Sequence, residues 1–255
     1  MIYKSKREID LMRKAGEVVA LAHKKIEEVV EPGITTLELD RIVEEFILKC
    51  GAKPSFKGFK NPVPDEIDFP SSICASVNNE VVHGIPNKNL LKEGDILSVD
   101  IGAYLNGYHG DAARTFEIGK VSEVAKKLID VTRESFYKGI ENAILGNRIF
   151  DISKAIQKHV RRNGFFVVEE LVGHGIGKEL HEPPQVPNFI TKRKGPRLAT
   201  GMTIAIEPMV NVGTSEIIFK RKEWTVVTKD GSLSAHYENT IAITENEPLI
   251  LTKVD

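Results

Sequence analysis

The sequence predicts an α+β fold in which two similar halves surround a shared antiparallel sheet. Three observations carry this. Helix signals precede strand signals twice along the chain, no Ser/Gly-rich linker separates the two runs, and 255 residues with 41% hydrophobic content suffice to bury one large core. A single domain over 1–255 is expected, with halves at about 1–120 and 121–255.

The elements follow in order. Ser5 and Glu8 form a capping-box signature ahead of Ile9, Met12, Val19, Ile26 and Val30, which recur near helical spacing until Pro32-Gly33 stops the run. Thr35 and Glu38 repeat the signature ahead of Leu39, Ile42, Val43 and Phe46. Residues 53–72, KPSFKGFKNPVPDEIDFPSS, are rich in Pro, Gly and Lys and read as an irregular loop of a length that goes with a job at a site or with mobility. ICASV (73–77) and DILSVDIGAYL (95–105) read as strands, the second with Ile96, Ser98 and Asp100 on one face. A helix is expected from about Ser122 to Ile144, and another opening at Asp151 and ending near Gly164. Strands return in TIAIE, SEIIFK, EWTVV and AHYENTIAIT, the last with Glu238 inside it.

Bulk charge excludes several function classes. A net charge of −1 gives no global attraction to nucleic acid or to an acidic membrane, although TKRKGPR (191–197) and KRK (220–222) are local basic patches. No run approaches the ~20 apolar residues of a membrane span, and the charged N-terminal segment lacks the apolar core of a secretory signal. Cys50 and Cys74 show no CxxC spacing, which suits a reducing compartment such as the cytoplasm.

DIGAYLNGYHGD (100–111) carries the first chemical signal. Asn106-Gly107 predicts a two-residue hairpin turn that pairs Leu105 with Tyr108 and Gly102 with Asp111, so Asp100 lies diagonal to Asp111 on one face. Two carboxylates ~5 Å apart repel by roughly 3 kcal/mol at an effective dielectric of about 20. A solvated ribbon edge with Arg114 as partner is one answer; a bound cation is another. His174 between two glycines, Glu207 before Pro208, and Glu238 then add three more donors on strand-like segments. Four acids in otherwise apolar strands are costly without cations. Two divalent ions would neutralise them, and an oxygen-dominated set with one nitrogen suits Mn, Fe(II) or Co rather than a thiolate zinc site.

These five residues, with VNNEVVHGIP (77–86), GHGIGKELHEPP (173–184) and SLSAHYENT (232–240), resemble the type I methionine aminopeptidases over nearly the whole chain. The resemblance implies the pita-bread (creatinase/aminopeptidase) fold and a dinuclear metal centre. In it Asp111 and Glu238 bridge both ions, Asp100 chelates one, and His174 with Glu207 completes the other. It further implies Glu207 as the proton acceptor, His181 as stabiliser of the developing oxyanion, and His83 as a contact to the scissile amide. The substrate would be the N-terminus of a nascent polypeptide, its initiator methionine entering an apolar pocket that includes Cys74 and Trp224. Phe56, Phe59 and Phe69 compete for that pocket's aromatic wall, and Phe69 is the choice because FPSSIC keeps the register to Cys74 and His83. Leu180 departs from the aromatic residue that often precedes the second histidine. Asn78 and Ser234 match positions that hold a structural Na or K ion in relatives. The ribosome surface is a candidate contact for Lys220, Arg221 and Lys222; a monomer, with no membrane and no specific nucleic-acid partner, is expected.

Three alternatives are weighed. Xaa-Pro aminopeptidases and prolidases share the ligand set but generally carry an added N-terminal domain, for which the first ligand at residue 100 leaves no room. The short gap from His174 to Glu207 leaves no room for the helical insertion of the type II methionine enzymes. A relative that has lost catalysis and serves as a ribosome- or nucleic-acid-binding module typically lacks ligands, whereas all five positions are filled here.

Overall fold

A computed structural model describes residues 2–61, 63–220 and 223–254. In chain order the elements are α1 (Lys6–Val29), α2 (Thr36–Lys49), β1 (Lys53–Pro54), β2 (Ile73–Val77), β3 (Glu80–Val82), β4 (Ile96–Leu105) and β5 (Tyr108–Glu117). The second half begins with α3 (Glu123–Ile140), α4 (Ile149–Arg162), β6 (Phe166–Val167), β7 (Gly173–Gly175) and β8 (Glu182–Val186). It continues through β9 (Thr203–Ile206), β10 (Met209–Asn211), β11 (Ile217–Phe219), β12 (Val226–Thr228), β13 (Ser234–His236), β14 (Asn239–Ala242) and β15 (Leu249–Ile250). This is the expected α+β order, two helices and then strands, twice.

Local chemistry accounts for the helix boundaries. The Ser5 side chain accepts from Glu8 N–H and the Glu8 carboxylate accepts from Ser5 N–H, a reciprocal capping box. Thr35 caps α2 by accepting from Glu38 N–H through its side chain. In α4 the expectation needs correction: the helix opens at Ile149, and Asp151 sits one turn in, where its carboxylate accepts from Arg148 N–H at 2.8 Å. Asp151 is the acidic third residue of the first turn rather than the start of the helix. Helix α3 ends at Ile140, four residues before the expected stop.

Each half buries one face of its helix pair. Val19, Ile26, Leu39, Val43 and Ile47 pack on Ile73, Leu97, Val99 and Ile101 of the first half, while Leu128, Phe136, Ile152, Ile156 and Val160 pack on Ile204, Ile206, Val210 and Ile241 of the second. Among the described residues all strand pairs are antiparallel. They form four ladders, β1-β4-β2 with β5 on β4, β13-β10-β6, β11-β12-β3, and β15-β14-β9-β7-β8. The third ladder crosses between halves because β3 pairs with β12.

Side chains and backbone close the remaining seam between β5 and the β13–β14 segment. Thr240 Oγ1 donates to Asp111 O and accepts from Asp111 N–H, Thr115 Oγ1 does the same for the backbone of His236, and Glu238 N–H donates to Ala113 O. Two corrections arise here. The last expected strand is broken at Tyr237–Glu238, so Glu238 lies between β13 and β14 rather than inside a strand. The 53–72 segment begins as a short strand, with Lys53 and Pro54 opposite Tyr104 and Ala103.

Two buried polar contacts tie α1 and its leading residues to the rest. The Lys4 ammonium pairs with Glu182, both side chains almost fully buried, and Glu182 Oε1 also accepts from Lys178 N–H and Glu179 N–H. His23, on α1, donates from Nε2 to Ala112 O at 2.8 Å, and burial together with the nearby Arg114 charge lowers its pKa to about 3.

Breaking a buried pair strands a charge, so Lys4→Met is expected to cost about 3–5 kcal/mol in urea unfolding, and the double variant Lys4→Met/Glu182→Gln to recover a large part of it. His23 binds its proton more weakly folded than unfolded. Its contribution is therefore fully present above pH ~6.5 and is lost as pH falls from there toward 3, by up to about 1.4 kcal/mol per pH unit. A His23→Gln variant should show a shallower acid loss of stability over that interval than the parent chain.

Candidate metal centre

The β4–β5 hairpin adopts the register that the turn dictates. Asn106 (φ 52°) and Gly107 (φ 88°) both occupy the left-handed region, Leu105 faces Tyr108, Gly102 faces Asp111 and Asp100 faces Ala113. Asp100 and Asp111 consequently share a face, and Asp100 is flanked on its other side by Cys74 of β2.

His174 enters from β7. A Cβ on either flanking glycine would strike backbone, Ala205 O at 2.4 Å from Gly173 and Pro183 O at 2.5 Å from Gly175, so the glycines allow β7 to lie close to its neighbours. His174 Nδ1–H donates to Gly175 O at 2.8 Å, which leaves Nε2 as a free lone pair. That nitrogen lies 3.6 Å from Glu207 Oε1 and 3.9 Å from Asp111 Oδ2. Glu207 stands at the β9–β10 junction, where Pro208 ends the first strand.

The structure brings four of the five sequence-selected donors, with His236, into two groups: Asp111, His174 and Glu238, and Glu207, His236 and Glu238, each with ligand atoms within 4.8 Å of one another. Asp100 joins them electrostatically, since its charge acts on both Asp111 and Glu238. His236 is the member that sequence reading missed. It lay inside the SLSAHYENT motif, and the signal that could have found it is its alternation with Glu238, two residues on and turned to the same face.

Electrostatics identify what the group wants. Burial raises the Asp100 carboxyl to about pKa 7 and that of Glu207 to about 8. Asp111 and Glu238 are driven well above the usual carboxylate range, by burial first and then by repulsion from neighbouring carboxylates. Asp100 Oδ1, Asp111 Oδ1, Glu238 Oε1 and His236 Nε2 are buried without hydrogen-bond partners. Arg114 does not neutralise them. Its guanidinium donates to the backbone oxygens of Ala113 and Glu238 and to Asn239 Oδ1, and it stacks over the Tyr237 ring. Among the described residues no lysine or arginine forms an ion pair with these four acids. Clustered, orphaned carboxylate oxygens beside imidazole nitrogens fit divalent first-row ions.

An apolar cavity of about 480 Å³ opens onto this group. Cys74, His83, His181 and Trp224 line it, as do Phe56, Phe59 and Phe69, so the loop at 53–72 supplies three aromatic walls rather than one. Trp224 meets Phe69 edge-on at 5.5 Å and Phe59 at 6.4 Å, and its indole N–H donates to Ile67 O at 2.9 Å. Phe59 also packs on His181 at 5.3 Å, and His181 stacks edge-on against His174 at 4.3 Å. His83 follows β3 with φ 58°, and burial lowers its pKa to about 4. Burial lowers that of His181 too. Leu180, the departure noted in the sequence, forms part of the same wall.

Asn78 and Ser234 meet elsewhere. Ser234 N–H donates to Asn78 O at 2.9 Å, and Asn78 Nδ2 donates to Asp95 Oδ1, with neither residue lining the cavity. Of the basic hairpin, Arg221 and Lys222 lie outside the described residues, and Lys220 pairs with Glu223 at 3.7 Å.

Comparison with known proteins agrees with this geometry. The profile of metallopeptidase family M24 matches residues 10–245. The chain is 56% identical over 253 residues to the methionine aminopeptidase of Clostridium acetobutylicum, covering 99% of this chain and 98% of that one. It is 53% identical over 254 residues to methionine aminopeptidase 1 of Bacillus subtilis, covering both in full. The crystal structure of the Thermotoga maritima methionine aminopeptidase superposes with a TM-score of 0.94 at 45% identity, again over the whole of both chains. With its five donors converged beneath an aromatic cavity and its pita-bread halves aligned end to end with those relatives, the chain belongs to metallopeptidase family M24 and, within it, to the methionine aminopeptidases.

Proposed function

We propose that the chain removes the initiator methionine from polypeptides whose second residue is small, using two divalent ions held by Asp100, Asp111, His174, Glu207 and Glu238. The observation that carries this reading is the juxtaposition of a buried, uncompensated carboxylate group with an apolar aromatic cavity. Bound there, such ions supply a water acidic enough to attack an amide near neutral pH.

The protein's own residues do the rest. Glu207 would accept the proton of the attacking water, a role that a carboxylate held beside that water can fill. His83 and His181 are kept neutral by burial, so each can present an N–H to the substrate, His83 at the scissile amide and His181 at the oxygen on which charge develops. Cys74, Phe69 and Trp224, joined by Phe56 and Phe59, form a pocket for an unbranched thioether side chain, which packs well against aromatic edges.

Several finer assignments belong to the same proposal. The chain works as one catalytic domain with halves about 1–120 and 121–255, and as a monomer. The ions are Co, Mn or Fe(II), and a Na or K ion sits at Asn78 and Ser234. The site of action is the cytoplasm, on nascent chains, with Lys220, Arg221 and Lys222 turned toward the ribosome; no described helix is long and apolar enough to cross a membrane.

Metal-stripped protein assayed on Met-Ala-Ser, Met-Leu-Ser and Ala-Pro-Ala peptides tests the assignment as Mn, Fe(II) or Co is restored. Cleavage of Met-Ala-Ser alone is expected; cleavage of Ala-Pro-Ala instead would move the chain to the Xaa-Pro enzymes. Glu207→Gln should lower kcat by about 10²–10⁴-fold, and an unchanged kcat would remove the residue from proton transfer. Neutralising Lys220, Arg221 and Lys222 together should weaken co-sedimentation with ribosomes, and full retention would discard that contact.

A further inference from the structure

The basic segment TKRKGPR (191–197) has no part in the proposed reaction, yet it walls a second cavity beside the catalytic one. This groove, of about 320 Å³, is lined in part by Phe150, Pro184, Gln185, Pro187, Arg193 and Lys194. Gln185 also lines the cavity that opens onto the metal centre, so the two spaces meet at β8.

Strand β8 gives the groove its direction. It begins one residue after His181, and its Gln185 stands opposite His174 across the β7–β8 ladder. A substrate chain that leaves the scissile bond at His181 and follows β8 comes level with Gln185 after about 13 Å, four residues of extended backbone. β8 is also the last strand of its ladder among the described residues. Pro183 and Pro184 carry no N–H, so this edge offers little to a strand that would add to it. A passing chain is held there by its side chains, not by ladder bonds.

Backbone contacts fix the far wall. Ile149 N–H donates to Pro196 O, Phe150 N–H to Lys194 O and Leu198 N–H to Asn147 O. Arg148 and Arg197 direct their guanidiniums to carbonyl oxygens, those of Gly195 and Gly146. Lys192, Arg193 and Lys194, by contrast, are exposed and form no ion pair among the described residues. Two of these uncommitted cations, Arg193 and Lys194, line the groove beside Phe150, Pro184 and Pro187.

We propose that this groove takes the part of the substrate polypeptide beyond its third residue and favours acidic side chains there. The proposal rests on the methionine-removing function and deepens it: the aromatic cavity selects the first residue by shape, and the groove selects further along by charge. Exposed charges of this kind act mainly on capture and are screened by salt, the Debye length falling from about 10 Å at 0.1 M to about 3 Å at 1 M.

Initial rates of the metal-loaded protein on Met-Ala-Ser-Glu-Glu-Glu, Met-Ala-Ser-Ser-Ser-Ser and Met-Ala-Ser-Lys-Lys-Lys, with Met-Ala-Ser as control, test it. At low salt kcat/KM should be at least about threefold higher for the acidic peptide than for the serine peptide, and lowest for the lysine peptide. That ratio should fall toward one in high salt and in the double variant Arg193→Ser/Lys194→Ser. A ratio below threefold in the unaltered protein, or one that survives high salt or the double variant, would overturn the proposal. Equal peptide rates combined with lost ribosome co-sedimentation in the variant would overturn it too, and give the segment to the ribosome. The peptide and salt series need no variant, so misfolding of the double variant leaves the test standing. Failure to cleave Met-Ala-Ser would remove the proposed function and the groove's role together, whereas cleavage without a charge preference would remove the groove's role alone.

Discussion

Mutual repulsion among Asp100, Asp111, Glu207 and Glu238 is the constraint around which this molecule is arranged. Each carboxylate is taken out of water, and two charges at such separations repel by several kcal/mol even at an effective dielectric of about 20. The fold supplies no lysine or arginine to them among the described residues, and Arg114 is committed to backbone oxygens and to Tyr237. Protons or cations must therefore enter from outside, and the raised pKa values of Asp100 and Glu207 express that demand. A protein assembled in this way gives up stability in its metal-free form to hold a site ready.

The architecture serves that site from both halves. The first contributes a hairpin whose turn fixes two aspartates on one face; the second contributes His174 from β7, Glu207 from the β9–β10 junction, His236 from the end of β13 and Glu238 from the β13–β14 break. Thr115 and Thr240 join the halves by pairing with backbone at the residues that bear or flank the donors, so the seam and the metal group are one structure. The break between β13 and β14 has the same logic. Glu238 N–H bonds Ala113 O across the seam instead of joining a regular ladder, and the irregularity directs its carboxylate inward.

Much of this was legible in the amino-acid order, for identifiable reasons. Ser5–Glu8 and Asn106-Gly107 are local signals whose geometry is set within four residues, and they appear as expected, while of the Thr35–Glu38 signature the Thr35 cap on Glu38 N–H is present. The alternation of Ile96, Ser98 and Asp100 carried the face of β4 correctly. What was not legible depends on distant partners. The helix was read as opening at Asp151 because the earlier start at Ile149 emerges only once Arg148 is held against the 194–197 segment. Glu238 looked like a strand residue because nothing nearby announces that β5 will compete for its N–H. His236 passed unnoticed since a lone histidine in a strand is ordinarily a satisfied core residue; only the positions of Glu207 and Glu238 make it exceptional. The aromatic wall was likewise undecidable from order alone, because the 53–72 loop folds Phe56, Phe59 and Phe69 into a single cavity.

The central claim is that paired divalent cations, and not protons, satisfy the four acids in the working protein. Calorimetric titration of the metal-stripped chain with Mn(II) at pH 7.5, repeated in buffers of different ionisation enthalpy, measures ion stoichiometry and proton release together. Two ions bound per chain with net release of protons is the result this account requires. Fewer than two ions, or two bound with no proton leaving the carboxylates, would contradict it.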